Sequence, residues 1–366
     1  MKRSLSLFVM ILCACGPMSK KTAHDTGEAL SPDWSSADPH THVAVTTVSS
    51  DYATGSFATV SLDDWKVTDT RFLTSGDPVV AVQPSGLYQL NRFTYDTMRR
   101  YIPGAWRTPL WETHLGDRSN PHDVVECGGA LFVSLYGEDR LAVHGIDDGA
   151  LLGHVDLSAF DDGDGQSPEA SSMRVFDERL YVGLQRLNRS EAWRPQNGAV
   201  VEVDCLSREV LRDWSVGSNA LLVGPVRDEG LLVSYGAYGG ESGALARLRL
   251  PEGRLETVVE TPGDHLMGLA VQGDSALGIS FSDDAAAYAV LCVDLAQGAL
   301  RSREPTSRYL TAVHGNDRGE AWVSAGPSWL DPTAPSGLYV YDVHTCTALN
   351  DTPIEMTLHP FDLAFF

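Results

Sequence analysis

Basic residues are scarce in this chain. Its 366 residues carry 27 Lys and Arg against 49 Asp and Glu, a formal net charge of −22 at pH 7. So acidic a surface repels phosphate backbones, which excludes nucleic acid as a partner, and it disfavours direct docking on anionic lipid headgroups. Cysteine is sparse too, 6 in all. Cys127, Cys205, Cys292 and Cys346 lie too far apart for a zinc site, whose ligands come in close pairs. Four thiols allow three disulfide pairings, and spacing does not choose among them. There is no long amphipathic helical stretch, no Gly-x-Ser-x-Gly elbow, no His-Glu-x-x-His pair and no phosphate-binding glycine loop.

An apolar run does stand at the N-terminus. Lys2 and Arg3 precede residues 5–12, which are almost all apolar and too short to cross a bilayer, a task for about 20 residues. The run ends in Leu12-Cys13-Ala14-Cys15-Gly16, which resembles the bacterial lipobox. That resemblance implies cleavage after residue 14, lipidation of Cys15 and anchoring in a membrane. Gly16 stands where an inner-membrane retention signal would show Asp, which directs the protein to the outer membrane or cell surface. Residues 15–40 are polar and poor in aromatics, a flexible lipidated tether. The expected division is signal peptide 1–14, tether 15–40 and folded part 41–366.

The folded part reads as all-β. Short β-branched and aromatic runs alternate with Gly, Asp, Asn and Pro. Residues 121–158 hold four strand runs joined by tight turns, among them Cys127-Gly128-Gly129 and Asp147-Asp148-Gly149, which is one propeller blade. The unit restarts near Pro78, Pro121, Ser171, Ala220, Met267, Thr311 and Pro360, at steps of 43 to 50 residues. Second strands align as Leu131-Phe132-Val133, Leu180-Tyr181-Val182 and Leu231-Leu232-Val233, and third strands leave through Val203-Asp204 and Val293-Asp294. Residues 360–366 look like a first strand without a blade, and residues 42–73 like a blade without its first strand. The expectation is a seven-bladed β-propeller closed by pairing of the C-terminal strand with the N-terminal blade, which leaves no open edge.

The repeated Leu-Tyr/Phe-Val and Val-Asp elements resemble YVTN-type propellers, the surface-layer and periplasmic seven-bladed family. Leu131-Phe132-Val133-Ser134 and Leu180-Tyr181-Val182-Gly183 come nearest its signature, without its Thr-Asn pair. The resemblance implies a fold far more than a function.

Propeller topology brings the starts of the first strands and the loops between second and third strands to one face. Asn91, Arg92, His122, Asp123, Tyr136, Arg186 and Arg189 fall there and form the candidate ligand-binding set. Such groups hold an anionic or hydroxyl-rich ligand by charge-assisted hydrogen bonds and stacking. Asp161, Asp162, Asp164 and Glu169, with Gly163 and Gly165 between them, are the candidate calcium ligands, although their spacing is not that of an EF-hand. Two function classes follow. The first is a non-enzymatic binding protein that recognises a protein, peptide or glycan through its loop face. The alternative is a metal-dependent, lactonase-type hydrolase with a central channel site.

Overall fold

The computed structural model describes residues 40–69, 73–93, 95–102, 105–106, 108–161, 167–227, 230–236, 243–261, 263–282, 285–328 and 330–366. The expected signal peptide, most of the tether with Cys15, and the acidic-loop residues Asp162 and Asp164 lie outside them.

The described residues form seven antiparallel sheets in a closed ring. Blade 3 shows the plan: inner strand Pro121–Cys127, second Ala130–Leu135, third Arg140–His144, outer Leu151–Asp156. Every residue of its second strand is buried. That strand has a blade on each side, so both of its faces meet apolar neighbours, and a continuous Leu-Phe-Val run replaces period-two alternation. The inner strands of blades 2, 4 and 6 are Pro78–Gln83, Ala170–Phe176 and His265–Gln272, and that of blade 7 is Tyr309–Gly315.

Two blades depart from the plan. The inner strand of blade 5 is only Leu221–Leu222, because Gly224 turns the chain away at φ +68° and Pro225 has no N–H to donate. Blade 7 has three strands and, in place of a fourth, isolated bridges Leu338↔Ile354 and Tyr341↔Ala348.

Seven apolar clusters lie one at each blade–blade interface. The cluster between blades 7 and 1 packs Val43, Val45, Trp322, Leu338 and Leu363. Disulfides staple two other interfaces. Cys127, at the end of the blade 3 inner strand, bonds Cys205 in the turn after the third strand of blade 4, with Cα atoms 5.6 Å apart. Cys292 of blade 6 bonds Cys346 of blade 7, Cα atoms 6.0 Å apart. At Gly128, φ +57°, a Cβ would sit 3.0 Å from the Cβ of Cys205, so this turn takes glycine both for its backbone and for the room the cystine needs.

Blade 1 is assembled from both ends of the folded chain. Its inner strand is His359–Phe365, its second His42–Val48, its third Gly55–Ser61 and its outer Val67–Asp69. The register runs from Val43↔Phe365 through Val45↔Leu363 to Val48↔His359, and His42 and Phe366 exchange both backbone hydrogen bonds at 2.9 Å. Leu363 is fully buried, and Phe365 meets Trp322 edge-on at 6.0 Å. Deleting residues 359–366 is expected to expose an edge and an apolar seam and to abolish a single cooperative transition. The smaller cut Leu363→Ala is expected to cost about 2–5 kcal/mol. Calorimetry decides: a truncated chain that melts like the full one rules out dependence on the seam.

Candidate functional site

The inner strands all begin on one face, and their starts share an irregularity. Pairing skips one residue near the beginning of five of them: Phe361 in blade 1, His122 in blade 3, Ser171 in blade 4, Met267 in blade 6 and Thr311 in blade 7. A one-residue bulge leaves the extra residue outside the ladder and re-aims its side chain. The residue after the bulge then does structural work in three blades. Asp362 accepts the Val80 N–H at 2.9 Å, Asp123 the Met173 N–H at 2.8 Å, and Ser172 the Leu222 N–H at 2.8 Å. Each of these bonds ties one blade's inner strand to the next. Pro121-His122-Asp123 and Pro360-Phe361-Asp362 are therefore the same device: a proline start, a re-aimed ring and a carboxylate clip.

The seven candidate residues separate by this logic. Asn91 is buried, accepts the Ser75 N–H at 3.1 Å and donates to Thr97 Oγ1 at 3.0 Å, so it braces the loop. Asp123 gives its other oxygen to the Val124 N–H at 2.8 Å. Burial raises its pKa against the opposing pull of Arg174 and these two amides. Arg186, at φ +54°, donates to the Asn197 carbonyl at 3.0 Å at the base of a small hairpin, Leu187–Asn188 with Arg194–Pro195.

Arg92, His122, Tyr136 and Arg189 are brought into one run across blades 2, 3 and 4. The His122 ring stacks on Tyr136 at 4.2 Å and 13°. Arg189 lies over Tyr136 at 6.0 Å and over Trp193 at 5.2 Å, in the range of cation–π attraction. Desolvation holds the His122 pKa well below the ordinary imidazole value, and the positive charge of Arg92 adds to that. Arg92 itself lies over the Phe361 ring at 5.8 Å and is ion-paired with Asp77. Arg189 is held by fully buried Glu169 at 2.9 Å and donates to Ser167 Oγ at 2.7 Å and to the Tyr136 carbonyl at 2.9 Å. Glu169 also accepts the Leu187 N–H at 2.8 Å, which roots the hairpin. Of the candidate calcium ligands, then, Glu169 is engaged by an arginine, and Asp161 offers its carbonyl to Arg186 at 3.4 Å.

The central channel holds a cavity of about 800 Å3 lined by the inner strands, with His122, Asp123, Arg174, His314 and Asp362 among its polar groups. These groups are largely committed. Arg174 donates to three carbonyls, of Met173, Leu222 and Gly224. His314 lies 3.4 Å from Asp362. Buried Asp264 is gripped by Arg303 at 2.5 Å and 2.9 Å. Among the described residues no group of three or more His, Cys, Asp or Glu is placed to hold a metal ion.

Solved structures match the chain in fold. A putative 6-phosphogluconolactonase from Bacteroides fragilis superposes with a TM-score of 0.63 at 13% identity, over 91% of this chain and 99% of its own. The β-propeller domain of Cps50 (Swd1) from Myceliophteria thermophila gives 0.55 at 10% identity, over 79% and 94%. AztD from Citrobacter koseri gives 0.52 at 10%, over 90% and 98%. Likeness at these identities shows the fold alone. No protein-family model matches the chain, and no curated protein sequence does.

A second pocket on the same face is absent from the sequence-based candidates apart from Arg92. About 540 Å3 in volume, it is walled by Tyr52, Phe93, Tyr95, Tyr309 and Phe361, with Asp77 and Arg92 among its lining. The missed signal is compositional: Tyr52, Phe93 and Tyr95 are aromatic residues in otherwise polar loops, where burial gives no reason for a ring.

Two outcomes are expected here. An imidazole kept neutral in the fold has a folded pKa below its unfolded value of about 6.5, so the unfolded chain takes the proton first. The stability it carries is complete above about pH 6.5 and is lost as the pH falls below that value. His122→Phe, which keeps the stack, is expected to flatten that acid-side loss, read from urea midpoints at two pH values straddling it. Glu169→Gln removes the buried charge that Arg189 faces at 2.9 Å and is expected to cost about 3 kcal/mol. An unchanged urea midpoint would show that the hairpin stands without this pair.

Proposed function

We propose that the protein is a lipid-anchored extracytoplasmic propeller, akin to the YVTN type, that binds a ligand non-enzymatically through the face where its inner strands start. One observation carries the reading. The exposed aromatic rings of the described residues, Tyr52 (47%), Phe93 (64%), Tyr95 (49%) and Trp193 (47%), all lie in loops between second and third strands, on that single face. Three of them, Tyr52, Phe93 and Trp193, have φ of +54°, +47° and +65°. A bulky side chain in the left-handed region costs about 1–3 kcal/mol, yet each of these rings keeps roughly half of its surface or more exposed. Left-handed backbone that holds solvent-facing rings suits a recognition surface.

The hydrolase alternative draws less support. A catalytic metal needs carboxylates with a free coordination side, whereas Asp123 and Asp362 are spent on neighbouring amides and Asp264 on Arg303. The lactonase-like neighbour contributes fold only. Two disulfides favour an oxidising compartment. Residues 40–42 join the ring beside Phe366, at the far end of the inner strand.

Cys15→Ser is expected to move the protein from the membrane to the soluble extracytoplasmic fraction. In cells, a photo-crosslinking residue at Trp193 or Phe93 is expected to give adducts that the same residue at Leu206, exposed in the turn at the opposite end of blade 4, does not. Equal labelling from both faces, or none from either, would overturn the binding-face reading.

A further inference from the structure

We infer that the aromatic cup between blades 7, 1 and 2 is a carbohydrate subsite that takes a neutral, hydroxyl-rich pyranose ring. The inference rests on the aromatic face being the binding face, and it names the ligand class of one pocket there.

The cup is built before any ligand arrives. Phe361 is the bulged residue of blade 1, re-aimed out of the ladder. Tyr52 meets it edge-on at 6.4 Å and 80°. Tyr309 lines the same pocket, and desolvation, with Tyr309 beside it, drives the Tyr52 pKa up. Tyr309 in turn stands perpendicular to Tyr288 at 5.2 Å, and Tyr288 packs on Phe281 at 4.9 Å, so the wall is braced back into blade 6. The loop carrying Tyr52 lies directly on Gly76, where a Cβ would fall 1.6 Å from the Tyr52 carbonyl oxygen. Opposite stand Phe93 and Tyr95, both exposed.

Charge selects the ligand class. Arg92 Nη2 pairs with Asp77 Oδ1, and the Arg92 backbone N–H and Nε both point to the Asp77 carbonyl, at 3.3 Å and 3.4 Å. The pair is net neutral and fixed. Among the described residues it leaves Asp77 Oδ2 as a free acceptor and Arg92 Nη1 as a free donor. A quaternary ammonium would want open ring faces and an uncompensated anion, but Arg92 already covers Phe361 and neutralises Asp77. An anion meets a guanidinium already paired. A purely apolar ligand would strip water from the pair without replacing its hydrogen bonds. A sugar ring matches every part: apolar C–H faces for the rings, and hydroxyls that donate to Asp77 and accept from Arg92. About 540 Å3 lies within the range of small-molecule pockets.

The test uses the full-length protein on an array of neutral, sialylated and sulfated glycans, followed by calorimetric titration with the strongest neutral oligosaccharide. Binding of neutral glycans is expected. Phe93→Ala and Tyr95→Ala should each weaken it at least tenfold with an unchanged melting temperature, since both rings are exposed. Leu206→Ala, exposed at the opposite end of blade 4, should leave it intact. No glycan bound, a preference for charged glycans, or binding of tetramethylammonium displaced by Phe93→Ala would each overturn the assignment. Glycan binding lost in Trp193→Ala but kept in Phe93→Ala would overturn the cup while leaving the aromatic face as the binding face. Loss of the face-specific crosslinks described above would remove both.

Discussion

A seven-residue strand at the C-terminal end, laid against the first strand of the folded chain, sets the conditions for everything else in this molecule. Without His359–Phe365, the strand His42–Val48 would present a bare edge to the channel, and Val43, Val45 and Trp322 would lose a wall of their cluster. Closing the ring brings the two ends of the fold together, a long-range contact whose entropic cost is met only when the interfaces form together. The stapled interfaces, blades 3–4 and 6–7, are not the seam. The disulfides shorten the loops that must be closed on either side of the ring, whereas the seam is held by hydrogen-bonded register, apolar packing and ion pairs such as Arg318 with Asp63 at 2.7 Å.

Closure also fixes which end of each inner strand meets the loops that carry the exposed aromatic rings. There the chain uses a compact arrangement twice, in Pro121-His122-Asp123 and in Pro360-Phe361-Asp362: one residue is thrown out of the ladder while the next clamps the following blade. The same carboxylates that look available for metal chemistry are thereby occupied as inter-blade ties. The ring residues beside them are what the face presents, with Arg92 and Arg189 lying over rings and neutralised by Asp77 and Glu169. Among the described residues these two arginines therefore present paired charge beside aromatic rings at the mouth of the channel.

How much of this was legible beforehand depends on range. Leu131-Phe132-Val133 announced the second strand of a blade, Cys127-Gly128-Gly129 a tight turn, and the unmatched ends of the chain a shared blade, and each of these stands in the structure. The restart near Ala220 stands as the blade 5 inner strand, which Gly224-Pro225 limits to Leu221–Leu222. The bulges carried no visible sign, because an extra residue in one strand is defined only by the register of its partner. Asp123 and His122 are neighbours with opposite fates, a blade tie and an aromatic stack, and nothing in their identities distinguishes them.

The sequence by itself determined the repeat length, the strand-forming runs, the turns and the complementarity of the two ends, since these follow from local propensity and the spacing of apolar residues. Tertiary structure decided which of three cysteine pairings formed, which acid met which arginine, and that Tyr52, Tyr309 and Phe361, from distant parts of the chain, wall one pocket. Those choices depend on which loops meet across blade interfaces and on a residue-by-residue register. Both are properties of the closed ring, and no local stretch of the chain encodes them.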